Sequence, residues 1–261
     1  MTLPVELQPF VADAPRATLL LDFDGSIAPI VDDPAAATAL PAMVDAVRAL
    51  QPLLSRVAVV SGRTVDFLAA ALPVAGITLA GLYGLERTEH GVTTVDPRAE
   101  PWIGPIAAAA DAAEAALPGL LVERKGNLCV TIHYRTAPDR GDEARAVADE
   151  LASRYGIDAP QRGRMAVELR PPVPVDKGTV VRDLTSGSMV AAFAGDDAGD
   201  LPAFAALVDL ARAGRLAHAV SIGVASAEAP AEILAADVVV DGPPALAALL
   251  RELADAISRR G

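Results

Sequence analysis

Two aspartates, Asp22 and Asp24, stand two positions apart where the apolar run Leu19-Leu20-Leu21 gives way to Gly25-Ser26. A run this short, preceded by Ala17-Thr18 and broken by Asp-Gly, predicts a buried parallel strand ending in a tight turn. Ligands of open α/β sheets gather at the carboxyl ends of the strands, where both aspartates would then sit. Residues i and i+2 of a strand point the same way, so the two carboxylates can converge on one group while Gly25 lets the backbone turn beside them. In such a pair one carboxylate can attack as a nucleophile and the other can handle a proton. Alone, Asp-x-Asp-Gly is equally the signature of a solvated turn, so the chemistry depends on what the rest of the chain brings to it.

The chain has 261 residues, which suits one large domain or two modest ones. At 52% hydrophobic and 21% charged it is globular and not disordered, and with only 3% aromatic residues Ala, Val and Leu must do the packing. A net charge of -12 argues against a nucleic-acid partner, so any phosphate bound here must be held by a local cation. Cys129 is the sole cysteine, which rules out an internal disulfide, and its place in the run Leu128–Ile132 reads as a packed strand residue. No basic segment followed by an apolar one opens the sequence, and acidic residues interrupt every long apolar stretch. The expectation is a soluble cytoplasmic protein with no membrane partner.

The elements that must position the aspartates can be traced in order. Residues 1–16, with Pro4, Pro9 and Pro15, read as an irregular lead-in. Beyond the first strand come a loop at 28–34, a helix at 41–50, a strand at 56–60 ending in Ser61-Gly62-Arg63-Thr64, and a helix at 65–71. A strand at 77–80 leads to Gly81-Leu82-Tyr83-Gly84, and 86–95 reads as a hairpin turning at His90-Gly91. The pattern then changes to a helix at 103–117, a hairpin of 120–123 with 128–135, a helix at 142–155 and a strand at 165–170, closed by Pro171-Pro172-Val173-Pro174. This segment looks like an inserted α/β cap at 102–172, between core segments 1–101 and 173–261, with its proline-bounded links as candidate hinges. Strand–helix alternation resumes with a helix from Lys177, a strand at 189–194 ending in Gly195-Asp196-Asp197-Ala198-Gly199-Asp200, a helix at 201–213, strands at 219–224 and 238–240, and a last helix at 244–257. The fold class expected is α/β, a Rossmann-like parallel-sheet core carrying a smaller α/β cap.

Four strand-end groups now line up: Asp22 with Asp24, Ser61, Lys177, and Asp196 with Asp197 and Asp200. In this order they resemble the haloacid dehalogenase-like phosphatases. That resemblance implies attack by Asp22 on phosphorus to give an aspartyl-phosphate, proton transfer by Asp24, and release by a water that Asp24 deprotonates. A phosphate dianion repels a carboxylate nucleophile, so a divalent cation must lie between them, and hard oxygen ligands favour Mg²⁺. Asp22 and Asp196 are the expected ligands, the Asp24 carbonyl oxygen is a third by resemblance, and Asp197 and Asp200 are expected behind them, orienting ligands or waters. Lys177 would offset the repulsion and stabilise the transferring charge. Ser61 and the neighbouring backbone N–H groups of Gly62 and Arg63 would hydrogen-bond the phosphoryl group ahead of a helix N-terminus. Taken singly, Lys177 could be a surface residue, Ser61-Gly62 a plain cap, and the three acidic residues a helix cap.

The cap carries a narrower resemblance, to the trehalose-6-phosphate phosphatases, in Gly81–Gly84 with Glu86, Val122-Glu123-Arg124-Lys125, His133-Tyr134-Arg135, Glu168-Leu169-Arg170-Pro171, Asp176-Lys177-Gly178 and the Gly195–Asp200 motif followed by Phe204. It implies that Glu123, Lys125 and Glu168 bind sugar hydroxyls, with Arg135 and Arg170 as further candidates. By spacing alone Glu123 and Lys125 could equally be an exposed charge pair across a hairpin. His133 reads as a strand residue and His90 as a turn residue. Ser26 replaces the family's usual Thr, Tyr83 stands where a His is common, Val175 where a Trp often precedes Asp-Lys-Gly, and Gly199-Asp200-Leu201 where Thr-Asp-Glu is typical.

The implied reaction is Mg²⁺-dependent hydrolysis of trehalose 6-phosphate, and the resemblance implies a functional link to the synthase that makes it. A phosphatase for sucrose phosphate, glucosylglycerol phosphate or mannosylglycerate phosphate is the alternative, and a catalytically silent sugar-phosphate or partner-binding domain the third reading. Replacement of Asp22 by Asn is expected to abolish phosphate release while the circular dichroism spectrum stays that of the unaltered protein; near-normal turnover would remove Asp22 as the nucleophile.

Overall fold

A computed structural model describes residues 3–31, 33–89, 91–163, 165–227 and 229–260. In chain order the first elements are α1 (Gln8–Ala12), β1 (Ala17–Leu21), α2 (Pro41–Leu50), β2 (Arg56–Val60), α3 (Val65–Ala71), β3 (Thr78–Gly81), β4 (Glu86–Glu89) and β5 (Val92–Val95). Next come α4 (Ile103–Ala116), β6 (Leu121–Lys125), β7 (Cys129–His133), α5 (Gly141–Tyr155), β8 (Gln161–Gly163) and β9 (Ala166–Leu169). The chain ends with α6 (Lys177–Leu184), β10 (Val190–Gly195), α7 (Leu201–Arg212), β11 (His218–Ala225), α8 (Ala231–Leu234), β12 (Val238–Asp241) and α9 (Gly242–Ser258). Two compact units result, one built from the residues up to Thr94 and from Val175 onward, the other from Val95–Pro174.

The first unit is organised around β1. Its sheet runs β12-β11-β10-β1-β2-β3-β4-β5, parallel from β12 to β3, with β4 antiparallel to β3. From β1 the chain builds outward on one side through β2 and β3 and on the other through β10, β11 and β12. The gap between β1 and β10 is therefore the topological switch point, where open sheets of this kind leave room for a ligand. All five residues of β1 are buried, as a strand covered on both faces requires. Leu19 and Leu21 pack with Met43, Val47 and Leu50 of α2 and Leu246, Leu250 and Leu253 of α9, while Leu20 packs with Val180, Leu184, Phe204 and Leu207 of α6 and α7. Each such leucine contributes about 1.5–3 kcal/mol relative to exposure, so the position of β1 between the two layers is strongly held.

Two helices follow from local rules. In α2, Pro41 occupies the first turn and Met43, Ala46, Val47 and Leu50 form the buried stripe. The start of α6 is set by Asp176, whose Oδ1 accepts the Thr179 backbone N–H at 2.6 Å and the Thr179 hydroxyl at 2.8 Å. That cap makes Lys177 the first helical residue and aims α6 from the site into the core.

The second unit is an antiparallel sheet in the order β6-β7-β9-β8. Val130, Ile132, Val167 and Leu169 pack against Ile106, Ala109 and Ala113 of α4 and Ala148, Leu151 and Ala152 of α5. The alternate strand positions carry Glu123, Thr131 and Glu168, which fall in one cross-strand row with Gln161.

Three differences from the sequence expectation have physical causes. The stretch before β1 is helical and not irregular: 3-10 turns at Val5–Leu7 and Ala14–Arg16 flank α1, because Pro9 and Pro15 lie in first turns, where proline is tolerated, and Leu7 and Phe10 are fully buried. β8 is exposed, polar and three residues long, and α8 has four residues, so neither carries a periodic apolar signal. The strand expected at 77–80 runs one residue later, as Thr78–Gly81. His90 lies outside the described residues. Among the described residues no helix is long and apolar enough to cross a membrane.

The close approach of α6 to α7 depends on the missing side chain of Gly178, where an added Cβ would lie 2.4 Å from the Pro202 carbonyl oxygen. Replacing Gly178 with Ala is expected to cost about 1–3 kcal/mol, read as a lower urea midpoint; an unchanged midpoint would mean the two helices can part freely.

Candidate active site

The chain brings the ends of β1, β2 and β10 together with the start of α6 around the switch point. The Asp22 backbone N–H donates to the Ala194 carbonyl at 2.8 Å, extending the β1–β10 ladder by one residue and fixing where Asp22 begins. Phe23 turns into the core and makes an edge-to-face contact with Phe67, centroids 5.7 Å apart, so the residues on either side of it are presented to the site. Gly25, at φ 87°, completes the turn, and a Cβ on it would lie 2.1 Å from Asp196 Oδ2. Glycine is needed there both for the left-handed backbone and for the space Asp196 fills.

Lys177 is 5% exposed and its Nζ donates to Asp22 Oδ1 at 2.5 Å and to Asp200 Oδ1 at 2.6 Å. Asp200 is fully buried, and its other oxygen accepts the backbone N–H groups of Asp196 at 2.9 Å and Asp197 at 3.1 Å. Asp196 Oδ1 is buried with no hydrogen-bond partner. One oxygen from each of Asp22, Asp196 and Asp200 lies within 4.8 Å of the others.

The electrostatics follow from burial. Desolvation holds the Asp22 carboxyl well above its ordinary range, with Lys177 opposing and Asp200 and Asp196 adding to the rise. Asp196 is pushed up to about 7 by burial and then by Asp200 and Asp197. Burial lowers Lys177, but Asp200 and Asp22 outweigh it and the ammonium stays well above its usual value. Three buried carboxylates against one ammonium, with one carboxylate oxygen left unpaired, make a donor set suited to a hard divalent cation. The cluster includes Asp200, which the sequence placed behind the ligands, while the half-exposed Asp197 caps the next turn by accepting the Gly199 N–H at 2.8 Å.

Asp24 is held differently. The Arg63 guanidinium grips it with two bonds, Nε to Oδ2 and Nη2 to Oδ1, both 2.8 Å. Arg63 comes from the Ser61-Gly62-Arg63 turn after β2, in which buried Ser61 accepts the Arg63 backbone N–H at 3.2 Å on Oγ and the Tyr83 N–H at 2.9 Å on its carbonyl. The start of α3 is already answered within the protein, since Thr64 Oγ1 accepts the Phe67 N–H and Glu86 Oε2 accepts the Val65 N–H at 3.0 Å. The sequence did not suggest the Asp24–Arg63 fork or this role for Glu86, because both join residues distant in the chain. The next loop is strained, with Leu82 at φ 48° and Tyr83 at φ 59°, a left-handed pair costing about 1–3 kcal/mol per residue. Its Tyr83 ring lies so close over Gly62 that a Cβ there would meet the ring at 2.7 Å. The flanking Gly81 and Gly84 were the one sequence sign of an unusual loop.

In the second unit, Glu123, Lys125 and Glu168 share the polar sheet face. Glu168 is 7% exposed; its Oε2 accepts from Lys125 Nζ at 2.6 Å and from Thr131 Oγ1 at 2.9 Å, and its Oε1 is buried without a partner. Glu123 pairs with His133 at 2.8 Å, so His133 is more than a packed strand residue. Arg135 lies exposed in the turn after β7. Cys129 is buried, as expected.

Most of the chain is similar to known proteins. The trehalose-phosphatase family matches residues 20–243. A trehalose-phosphate phosphatase of Mycobacterium marinum is 35% identical over 74% of this chain and 52% of its own, and that of Mycolicibacterium paratuberculosis is 33% identical over 92% of this chain and 63% of its own. The chain thus spans about half to two thirds of the length of these relatives. Among solved structures, a trehalose-6-phosphate phosphatase related protein superposes with a TM-score of 0.79 at 24% identity, over 94% of this chain and all of that one. The C-terminal domain of the Candida albicans trehalose-6-phosphate phosphatase superposes with a TM-score of 0.77 at 22% identity, over 95% and 96% of the two chains. These structures speak for the fold. Because the family match runs unbroken from β1 through the polar sheet of the second unit to the start of α9, the chain belongs to the trehalose-phosphatase family.

Proposed function

We propose that the protein hydrolyses trehalose 6-phosphate to trehalose and phosphate. The observation that carries this reading is the buried Lys177 bridge between Asp22 and Asp200 beside the unpaired Asp196 oxygen, in a chain whose family match covers it from β1 to α9. Asp22 and Asp196, with Asp200 close by and the Asp24 carbonyl oxygen as a further donor, would hold Mg²⁺. A bound divalent cation would supply the positive charge that lets a carboxylate approach a phosphate dianion.

In the proposed first step the Asp22 carboxylate forms a bond to phosphorus as the bond to the sugar oxygen breaks, giving an aspartyl-phosphate, and Asp24 gives that oxygen a proton. In the second step Asp24 takes a proton from a water whose oxygen attacks phosphorus, and Asp22 is released. Lys177 fixes the orientation of Asp22 and balances its charge, while Ser61 and the backbone of Gly62 face the phosphoryl oxygens. Residues 102–172 act as the cap that chooses the sugar. Within it the buried Oε1 of Glu168, lacking a protein partner, is suited to a hydroxyl donor, with Lys125 and Glu123 on the same sheet face and Arg135 as a further candidate. A polyol that leaves this carboxylate unpaired would be rejected strongly. The reading carries with it a cytoplasmic setting and a synthase that supplies the sugar phosphate.

Phosphate release with Mg²⁺ is expected to be faster, as kcat/KM, on trehalose 6-phosphate than on glucose 6-phosphate or sucrose 6-phosphate, and to vanish with EDTA. If either competitor ranks first the substrate is wrong; if none is hydrolysed with or without Mg²⁺ the protein is a binding domain.

The metal cluster makes a second prediction. Asp196 titrates at about 7 in the cation-free native state and near 3.8 in the unfolded chain, so its contribution to stability is full below about pH 4 and is lost as the pH rises through about 7. A cation competes with that proton. Mg²⁺ should therefore raise Tm more at about pH 8 than at about pH 6; an equal shift at both, or one retained in full by Asp196→Asn, places the cation elsewhere.

A further inference from the structure

We propose that Arg63 is a positioning residue that holds the Asp24 carboxylate in its working orientation and acts on the reaction through Asp24, not by gripping the phosphate. The inference rests on the assignment of Asp24 as the proton carrier in the reading above. A proton carrier must lie within about 2.6–3.2 Å of the oxygen it serves. Asp24 is poorly placed to meet that demand by itself, since its side chain is 38% exposed and lies just beyond the end of β1. Packing does not fix its rotamer.

Arg63 does. Its planar fork meets both carboxylate oxygens at 2.8 Å, a geometry that sets the plane of the carboxylate as well as its distance. The guanidinium is itself held by two further contacts, and the backbone that carries it by a third. Nη1 donates to the Pro34 carbonyl at 2.8 Å, the Phe67 ring lies beneath at 4.6 Å from Cζ, and the Arg63 backbone N–H is tied to Ser61 Oγ. Phe67 in turn packs edge-on against Phe23, the residue between the two aspartates. A closed ring of contacts therefore runs from Phe23 through Phe67 and Arg63 to Asp24, so the carboxylate is referenced to the same strand end that places Asp22. Each Asp24 oxygen keeps a second lone pair outside the fork. The proton would move from there to the departing sugar oxygen as its bond to phosphorus breaks, and be replaced from the attacking water.

The leaving group separates this role from phosphate binding. A sugar alkoxide cannot leave unprotonated, whereas p-nitrophenolate can. In the full chain with Mg²⁺, Arg63→Gln is expected to lower kcat on trehalose 6-phosphate by roughly 100-fold, with KM changed less than about threefold. First-turnover release of p-nitrophenolate from p-nitrophenyl phosphate should stay within about threefold of the unaltered protein, because Asp24 has no leaving group to protonate. Arg63→Lys, which keeps the charge but loses the fork, should show the same selectivity. Phe67→Leu, which leaves Arg63 intact but removes its platform, should show it more weakly, and serves if the Arg63 variants unfold by their Tm. Equal losses on both substrates, or a raised KM at unchanged kcat, would overturn the proposal in favour of direct phosphate contact. Failure of the unaltered protein on trehalose 6-phosphate, with p-nitrophenyl phosphate still cleaved, would instead remove the substrate assignment and leave the Arg63 test to be read on the alkyl phosphate that is hydrolysed.

Discussion

The Lys177 ammonium is the interaction on which the rest of the site depends. It sits in the protein interior, where an unpaired charge is not tolerated, and it is stabilised there only because Asp22 and Asp200 converge on it from β1 and from the turn after β10. Removing one member of such a buried set typically costs about 3–5 kcal/mol, since its partners are left uncompensated. The same arrangement sets the chemistry. Both oxygens of Asp200 have protein partners, Lys177 on one and two backbone N–H groups on the other, whereas Asp196 keeps a buried oxygen with none. The protein's own donors thus leave one buried carboxylate oxygen of this cluster without a partner.

Around that point the structure accepts local costs. Gly25 is held left-handed because Asp196 occupies the space a side chain would take, and Leu82 and Tyr83 are held left-handed without being glycine. Consistency between sequence and local geometry is the rule elsewhere, in the capped start of α6 and the striped face of α2. Of these departures Gly25 lies at the switch point and Leu82–Tyr83 in the loop after β3, while Met165, at φ 52°, lies just before β9 in the second unit. The Asp24–Arg63 fork holds an exposed carboxylate still where packing cannot.

The second unit reaches a comparable result by other means. Its sheet divides its residues strictly by pleat, with Val130, Ile132, Val167 and Leu169 on the helix side and Glu123, Thr131 and Glu168 on the other. Register alone therefore gathers three polar residues from three strands into one row. Within it Lys125 and Thr131 satisfy one oxygen of Glu168 and leave the second buried and unpaired. In both units a carboxylate oxygen is buried without a protein partner.

What was legible in the amino-acid order was whatever depends on short range. The apolar run into Asp-x-Asp-Gly marks β1 and its turn, and alternating strands and helices imply the parallel sheet, because hydrophobic period is a local property. Composition alone also limits a chain with one cysteine, since no internal disulfide can form. Long-range proximity has no such signature. That Lys177 lies between Asp22 and Asp200, that Asp200 lies beside Asp22 and Asp196, that Arg63 grips Asp24, and that Glu86 caps α3 were decided only when the sheet order brought separate parts of the chain together. The helical stretch before β1 was hidden for a related reason: prolines read as breaks until the burial of Leu7 and Phe10 shows which turns they begin. Residue types along a chain state which charges are available; only packing decides which of them must share an interior, and so which are left to bind something else.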